Sequence, residues 1–186
     1  MQYPPLPNLF FNLSHDSKGS GGDFLFLTRI KKMVTWTIKR FDELTLDELY
    51  NILQLRNEVF IVEQNCVYKD LDGKDRSAWH LMAVEDDKLV AYTRILPSGV
   101  SYSDPAIGRV VTSSSKRRSG LGRELMKRSI EACEKLFGKI SITLSAQVYL
   151  QSFYESFGFI VMGEEYLDDG IPHVEMSRKP LGKSTE

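Results

Sequence analysis

The sequence predicts a single α/β domain of the α+β type, in which helices cover a mixed sheet. Apolar runs typical of strands and amphipathic runs typical of helices follow one another in the order β, α, ββ, β, α, β, α, ββ. Clear end signals bound the helical runs, with a capping box at Thr45 and Glu48 and helix-ending glycines at Gly138 and Gly158. The sequence contains no internal repeat with a period of roughly 20 to 50 residues.

The composition supports one well-packed core and excludes several partners. The 186 residues are 42% hydrophobic and 26% charged, as in a single globular domain. A formal net charge of −1 gives no attraction to nucleic acid or to an anionic membrane, so we expect neither as a partner. Cys66 and Cys133 are the only cysteines and lack C-x-x-C spacing, which argues against a disulfide framework or zinc site and indicates a reducing, cytoplasmic location.

The first 32 residues differ in composition from the remainder. They contain Pro4, Pro5 and Pro7 and then three glycines within residues 17–22. We expect residues 1–32 to form a flexible tail that is either non-native or upstream of a true start at Met33. Residues 33–180 are expected to form the domain, and residues 181–186 a C-terminal tail.

A strand and a strongly signalled helix open the domain. Alternation from Thr35 predicts the strand, and Leu44 and Leu49 add a hydrophobic staple to the capping box. The apolar face of the helix continues to about Phe60.

A polar loop follows and raises the question of calcium. Its turn and acidic residues are Asp70, Asp72, Gly73 and Asp75. Setting Asp72 and Gly73 at the fifth and sixth positions of a calcium loop places Tyr68 first and Trp79 twelfth, where carboxylates are required. We therefore expect a solvated acidic loop and no metal site.

The remaining elements are read from periodicity and turns. A hairpin is predicted over 80–84 and 89–96, and a strand over 107–111. The next helix has an apolar stripe that includes Met126 and Cys133, which are therefore expected in the core. A strand at 140–144, a short helix at 148–157 and strands at 159–164 and 174–178 complete the chain, with a turn at Asp169-Gly170.

The turn before the long helix carries the clearest chemical signal. It reads Lys116, Arg117, Arg118, Ser119, Gly120, Leu121, Gly122. Two closely spaced glycines let backbone N–H groups converge without an obstructing Cβ, and the helix directs its positive end to the same point. The turn is either a phosphate-binding site or a solvated basic turn.

Three segments carry a family resemblance. The spacing Arg117-x-x-Gly120-x-Gly122 resembles the R/Q-x-x-G-x-G/A loop of the GCN5-related N-acetyltransferase (GNAT) superfamily. Residues 147–159 are similar to its N-x-x-A-x-x-x-Y-x-x-x-G-F block, with Gln147 and Leu150 in place of Asn and Ala. The LR-x-x-VF-x-VEQ run at 55–64, the D-x-DG-x-D loop and the DGIPH element at 169–173 resemble the ElaA-like subfamily.

The resemblance implies the GNAT fold over residues 36–179, with a mostly antiparallel sheet that splays between its fourth and fifth strands. It also implies transfer of an acetyl group from acetyl coenzyme A (acetyl-CoA) to an amine of a small molecule, peptide or protein. The residues implied in cofactor binding are Val110, Val111, Thr112, Lys116, Arg117, Arg118, Ser119, Gly120, Leu121, Gly122, Arg123, Gln147, Phe153 and Tyr154.

The resemblance places Tyr154 at the family position of the general acid that protonates the leaving thiolate. Periodicity alone favours a core tyrosine beside Phe153 and Phe157, and the family motif reverses that interpretation. Glu63, Glu58 and His173 are the candidates for the general base. The alternatives are that Glu58 is a solvated helix charge and that His173 only hydrogen-bonds the backbone.

Three further residues are candidates for contact with the acceptor. Arg56 is interpreted either as a ligand for an acceptor carboxylate or as half of a structural ion pair. Phe60 and Gln64 either pack or contact the acceptor.

Other functions stay open at this point. A non-catalytic acyl-CoA sensing module would keep the glycine turn without needing Tyr154 as an acid, and a longer acyl-CoA is an alternative donor. The LR-x-x-VF segment is also distantly similar to acyl-homoserine-lactone synthases. A nucleotide phosphohydrolase is disfavoured because the turn lacks the G-x-x-x-x-G-K-[ST] pattern.

We expect the protein to be a monomer or a homodimer.

Overall fold

One mixed sheet organises residues 33–180, which are the residues that the computed structural model describes. The predicted tails at 1–32 and 181–186 lie outside them. The strands are β1 (Thr35–Arg40), β2 (Trp79–Glu85), β3 (Lys88–Leu96), β4 (Ala106–Thr112), β5 (Ile142–Gln147), β6 (Ile160–Val161), β7 (Tyr166–Asp168) and β8 (Ile171–Arg178). The helices are α1 (Leu46–Arg56), α2 (Leu121–Phe137) and α3 (Gln151–Glu155).

The sheet has the predicted mixed, mostly antiparallel topology. Its strand order is β1-β2-β3-β4-β5-β8-β6, and β7 also pairs with β8. The pairing of β4 with β5 is parallel and is recorded only at Ala106 and Thr143. Beyond that pair, within the described residues, the edge of β4 that faces β5 has no strand partner. The predicted splay between the fourth and fifth strands is therefore confirmed.

Helix α2 packs on this sheet as its apolar stripe predicts. Met126 and Cys133 are 0% and 1% exposed, so both belong to the core. Burial raises the pKa of the Cys133 thiol to about 12, which keeps it protonated and unreactive at neutral pH. Each such fully buried apolar side chain contributes on the order of 1.5–3 kcal/mol to folding.

The start of α1 is also as predicted, whereas its end differs. Thr45 Oγ1 accepts a hydrogen bond from Glu48 N at 3.1 Å, and Glu48 accepts one from Thr45 N at 2.9 Å. The α-helix ends at Arg56, and a π-helical segment, Asn57–Glu63, continues it. Its run of β-branched and aromatic residues has low α-helix propensity, which is consistent with the wider turn.

The prediction of a solvated acidic loop is wrong. Asp70 and Asp75 are 7% and 8% exposed and bind arginines that come from other elements of the fold. Arg56 Nε donates to Asp70 at 2.9 Å, and Arg56 Nη1 donates to Asp75 at 2.9 Å. Arg94 binds Asp72 and Asp75, and Arg109 binds Asp70, at distances of 2.7–3.0 Å. Periodicity cannot reveal that these arginines converge on one loop, because they are distant in sequence.

The C-terminal elements are shorter and more numerous than predicted. The predicted helix at 148–157 is a 3₁₀ turn, Val148–Leu150, followed by α3. The predicted strand at 159–164 contains only β6, and β7 then forms a separate hairpin with β8. Asp169 and Gly170 adopt φ values of 48° and 82°, so the predicted turn lies where expected.

Candidate functional site

A cavity of about 400 Å³ opens where β4 and β5 part. Its walls come from the end of the π-helical segment, the acidic loop, β4, β5, α3 and the β7–β8 hairpin. We call it the central cavity. Three predicted site residues from separate parts of the chain, Gln64, Tyr154 and His173, line it together.

Tyr154 is held rigidly in the cavity wall by aromatic neighbours. Its side chain is 6% exposed, and its ring packs edge-on against Phe153 and Phe159 at centroid distances of 5.2 and 6.3 Å. Burial, with a smaller contribution from Tyr149, raises the pKa of Tyr154 above its usual value. The hydroxyl is therefore protonated at neutral pH, as a proton donor must be, and the same burial makes it a weaker acid than a solvated tyrosine. Both interpretations of Tyr154 meet here, because it is a core tyrosine that also lines the cavity.

Two of the base candidates, His173 and Glu63, occupy different environments. His173 lines the cavity, and its Nδ1 lies 2.8 Å from the carbonyl oxygen of Ile171. A carbonyl oxygen only accepts, so Nδ1 carries the proton and Nε2 is left as the acceptor. Glu63 lies outside the cavity lining and is bound by Arg117, whose hydrogen bonds lower the pKa of Glu63. A carboxylate stabilised in this way is a weaker base.

The three candidates for contact with the acceptor also lie in different places. Phe60 and Gln64 line the cavity, and Gln64 makes long side-chain hydrogen bonds of 3.4 Å with Gln147, which also lines it. Arg56 is 0% exposed and is not part of the lining. Of the two interpretations of Arg56, the structure has the ion pair, with Asp70 and Asp75 as its partners.

The glycine turn, residues 116–122, leads into α2 beside β4. Gly120 has a φ of 88° and caps the helix, and Arg118 is also left-handed at 60°. The first N–H groups of a helix generally lack an intrahelical acceptor and can bind an anion; here Leu121 N donates a long hydrogen bond of 3.4 Å to Ser119 Oγ, and Arg123 N donates to Gly120 O at 3.1 Å. A Cβ built on Gly122 would meet only Thr112 Cγ2, at 3.9 Å. The protein itself thus has room for a side chain there, and glycine leaves the space open for a ligand.

Two basic side chains of the turn, and Arg123 just after it, have partners in the protein. Lys116 forms an ion pair with Glu85, and Arg117 forms a bidentate pair with Glu63 that includes a 2.7 Å bond. Arg123 donates to Ser156 at 3.1 Å. Arg118 is exposed. Among the backbone N–H groups of residues 117–122, those of Arg117 and Leu121 donate long hydrogen bonds of 3.4 Å, so an anion would bind the other N–H groups of this range or compete with these two.

Strand β4 borders the central cavity with its backbone edge and contains one strained residue. Two residues of β4, Arg109 and Val110, oppose the single residue Thr93 of β3, which is a β-bulge. Arg109 has a φ of 53° in this bulge, and such strain in a non-glycine residue concentrates at functional sites. Val110 lines the cavity, whereas Val111 is 3% exposed and packs in the core. The strand can therefore offer its backbone edge rather than the Val111 side chain.

Sequence reasoning missed several cavity residues. The additional polar ones include Tyr68, Lys69, Lys74, Tyr102, Arg109, Ser145 and Asp168. The D-x-DG-x-D motif marked the loop that carries Tyr68, Lys69 and Lys74, although it did not show that this loop faces the cavity. The signal available for Arg109 was only that it lies in the strand before the glycine turn.

The fold and this site together define a class of protein. Residues 45–180 match the family described as Acetyltransferase (GNAT) domain, and the chain belongs to this family. Within it, the chain is 43% identical to protein ElaA of Escherichia coli over 151 residues, 80% of this chain and 99% of ElaA.

Solved structures agree with this placement. The crystal structure of Escherichia coli ElaA superposes with a TM-score of 0.75 at 42% identity, covering 79% of this chain and all of ElaA. An acyl-CoA N-acyltransferase from Pseudomonas aeruginosa gives a TM-score of 0.76 at 47% identity, covering 78% of this chain and 99% of its own. A CoA-dependent acyl-homoserine-lactone synthase, with 19% identity and a TM-score of 0.65, covers 78% of this chain and 82% of its own and shares only the fold.

Neither a metal cluster nor a membrane helix is found in the described part of the chain. Within residues 33–180, no group of three or more His, Cys, Asp or Glu side chains is placed to hold a metal ion. No helix in the same range has the length and apolar character needed to cross a membrane.

Proposed function

We propose that this protein transfers an acetyl group from acetyl-CoA to an amine, with Tyr154 as the general acid. The observation that carries the proposal is the position of Tyr154, which is buried, kept protonated and part of the cavity wall where β4 and β5 separate. A similar protein, from Pseudomonas aeruginosa, is described as an acyl-CoA N-acyltransferase. Membership of the GNAT family supports the same chemistry.

The residues of the glycine turn fit a pyrophosphate. The N–H groups from Arg117 to Gly122 and the N-terminus of α2 would bind its oxygens, and the open space at Gly122 permits close approach. The unpaired edge of β4 at Val110, Val111 and Thr112 would hydrogen-bond the pantetheine arm as an added strand does. Coenzyme A supplies the thioester that is broken in the transfer.

Side chains of the protein would then carry out two proton transfers. An amine must lose a proton to attack, because its reference pKa is about 7.7–8.0 for an α-amine and about 10.4 for a lysine side chain. His173 Nε2 is the acceptor nitrogen in the cavity and would take that proton directly or through water. As the new C–N bond forms and the C–S bond breaks, Tyr154 would donate its proton to the departing sulfur.

The two unpaired cysteines support a reducing, cytoplasmic location for this reaction. Cys133 is buried, and Cys66 is not paired with it.

Calorimetry and a thiol-release assay test the proposal together. Acetyl-CoA should bind the purified protein, and incubation with a panel of small amines should release free coenzyme A thiol. Absence of acetyl-CoA binding would remove the cofactor assignment. Binding without thiol release from any amine would favour the sensing module. Faster thiol release with longer acyl-CoA donors would mean that the preferred donor is a longer acyl-CoA and not acetyl-CoA.

A further inference from the structure

Two lysines that line the central cavity have no acidic partner among the described residues. Lys69 and Lys74 belong to the acidic loop and line the cavity. Lys74 is half-buried, and its Nζ donates to Ser101 Oγ at 2.9 Å. Neither lysine forms an ion pair with any residue in the described range 33–180. Lys69 is exposed, and the acidic loop thus contributes two positive charges to the lining that have no ion-pair partner in that range.

The aspartates of the same loop are already balanced by the arginines. Asp70 is bound by Arg56 and Arg109, Asp72 by Arg94, and Asp75 by Arg56 and Arg94, so three carboxylates meet three guanidinium groups. Burial opposes ionisation of Asp70, but its arginine partners outweigh that effect and its pKa is lowered. Each of the three aspartates is thus already bound by arginine. Their charges neutralise the arginines, and the charge of the two lysines remains in excess.

The β7–β8 hairpin, another part of the cavity lining, carries charge of the other sign. Asp168 and Asp169, at the tip of the β7–β8 hairpin, line the cavity and form no ion pair with a described residue. Tyr102 lies near Asp168, and burial, Tyr166 and the nearby carboxylates raise the pKa of Tyr102 to about 12. The cavity is therefore bipolar, with positive charge on the acidic loop and negative charge on the hairpin.

We propose that the acyl acceptor is a small zwitterion that carries a carboxylate besides its amine. Lys69 and Lys74 bind the carboxylate, and the hairpin carboxylates attract the amine in its cationic form before it is deprotonated. A cavity of about 400 Å³ suits a small molecule such as an amino acid better than a folded partner. This inference rests on the proposed function, because it names the substrate of the same site.

Matched amines test the proposal by binding as well as by turnover. The probes are 5-aminopentanoate against pentylamine and phenylalanine against phenethylamine, each titrated into the coenzyme A complex of the full chain. We expect each carboxylate-bearing compound to bind at least about 10-fold more tightly than its partner, since a charge-assisted contact discriminates at this level. Equal affinity within both pairs would overturn the proposal.

Variants assign the preference to the lysines. Lys69→Met combined with Lys74→Met should reduce the affinity for the carboxylate compounds to that of the neutral amines and leave the neutral amines unchanged. Lys135→Met, on the exposed side of α2, is the matched control and should retain the preference. A preference that survives in the double variant would refute the assignment.

Turnover separates this inference from the function on which it rests. We expect the wild type to release thiol only with the carboxylate-bearing compounds. The double variant should lose this activity through a raised KM for those compounds. Absence of thiol release from every amine would overturn the proposed acetyl transfer, whereas the binding comparison would still decide whether the cavity selects a carboxylate.

Discussion

Replacing Arg56 by Met should unfold the domain more easily without damaging its site. The guanidinium group makes three hydrogen bonds, to Asp70 Oδ2 at 2.9 Å, Asp75 Oδ1 at 2.9 Å and the Asp70 carbonyl at 3.0 Å. The substitution leaves three buried or half-buried carboxylates with only Arg94 and Arg109. Removing one partner from a buried ion pair costs about 3–5 kcal/mol.

That free energy converts into a large thermal shift. For a chain of this size each kcal/mol lowers the melting temperature by about 2–4 °C, so the expected loss is roughly 6–20 °C. The loss should shrink at low pH, because the uncompensated carboxylate then binds a proton. Adding Asp75→Asn restores the charge balance and should recover part of the stability.

Thermal melts by circular dichroism measure the effect, with Lys127→Met as the control. Lys127 belongs to an exposed pair with Glu131 at 4.0 Å, and its loss should change stability by less than about 1 kcal/mol. Below its melting temperature the Arg56→Met variant should bind acetyl-CoA and the acceptor normally. A variant with the wild-type melting temperature and a raised KM for the acceptor would refute the structural role and return Arg56 to the acceptor site.

Three further predictions concern acidity and the glycine turn. The pKa of Asp70 is lowered in the folded state, so the stability that its ionised carboxylate contributes is complete above the unfolded carboxyl pKa of about 3.9. That stability is lost as the pH falls from there through the lower, folded-state pKa. Thermal melts at descending pH should therefore show a steeper loss of stability in the wild type than in Asp70→Asn. Glu63→Gln removes the exposed ion pair of Arg117, so calorimetry should show coenzyme A binding about 1.5–5-fold more tightly. Unchanged affinity would mean that Arg117 does not face the cofactor. Gly122→Ala should leave the stability of the fold unchanged or raise it by up to about 1 kcal/mol, because the new Cβ meets only Thr112 at 3.9 Å. The same substitution should weaken coenzyme A binding. Normal coenzyme A binding would remove the turn from the cofactor site.

The features that could be predicted from the sequence are those determined by local chemistry. The capping box at Thr45, the α2 stripe with Met126 and Cys133 and the turn at Asp169-Gly170 each depend on residues close together in the chain, and each lies where predicted. The sheet topology and its splay came instead from the family resemblance, because strand order depends on contacts that periodicity does not record.

The features that could not be predicted depend on distant residues. The arginine–aspartate network joins α1, β3 and β4 to a loop whose composition alone indicated exposure. The π-helical segment differs from an α-helix by its hydrogen-bond spacing, which the apolar pattern hardly distinguishes. The same limit applies to the site, where Tyr154 and His173 were named from motifs, whereas the cavity-facing positions of Lys74 and Arg109 required the fold.

Turnover by Tyr154→Phe is the most direct test of the central claim, that a buried, protonated tyrosine at the β4–β5 opening drives acetyl transfer. The phenyl ring keeps the packing against Phe153 and Phe159, so the affinity for acetyl-CoA should stay within about 2-fold. The kcat for thiol release should fall about 100-fold, the lower range for loss of a general acid. Tyr50→Phe, at a residue of α1 that is 70% exposed and outside the cavity lining, should keep wild-type kcat. An unchanged kcat in Tyr154→Phe, or an equal fall in both variants, would contradict the claim.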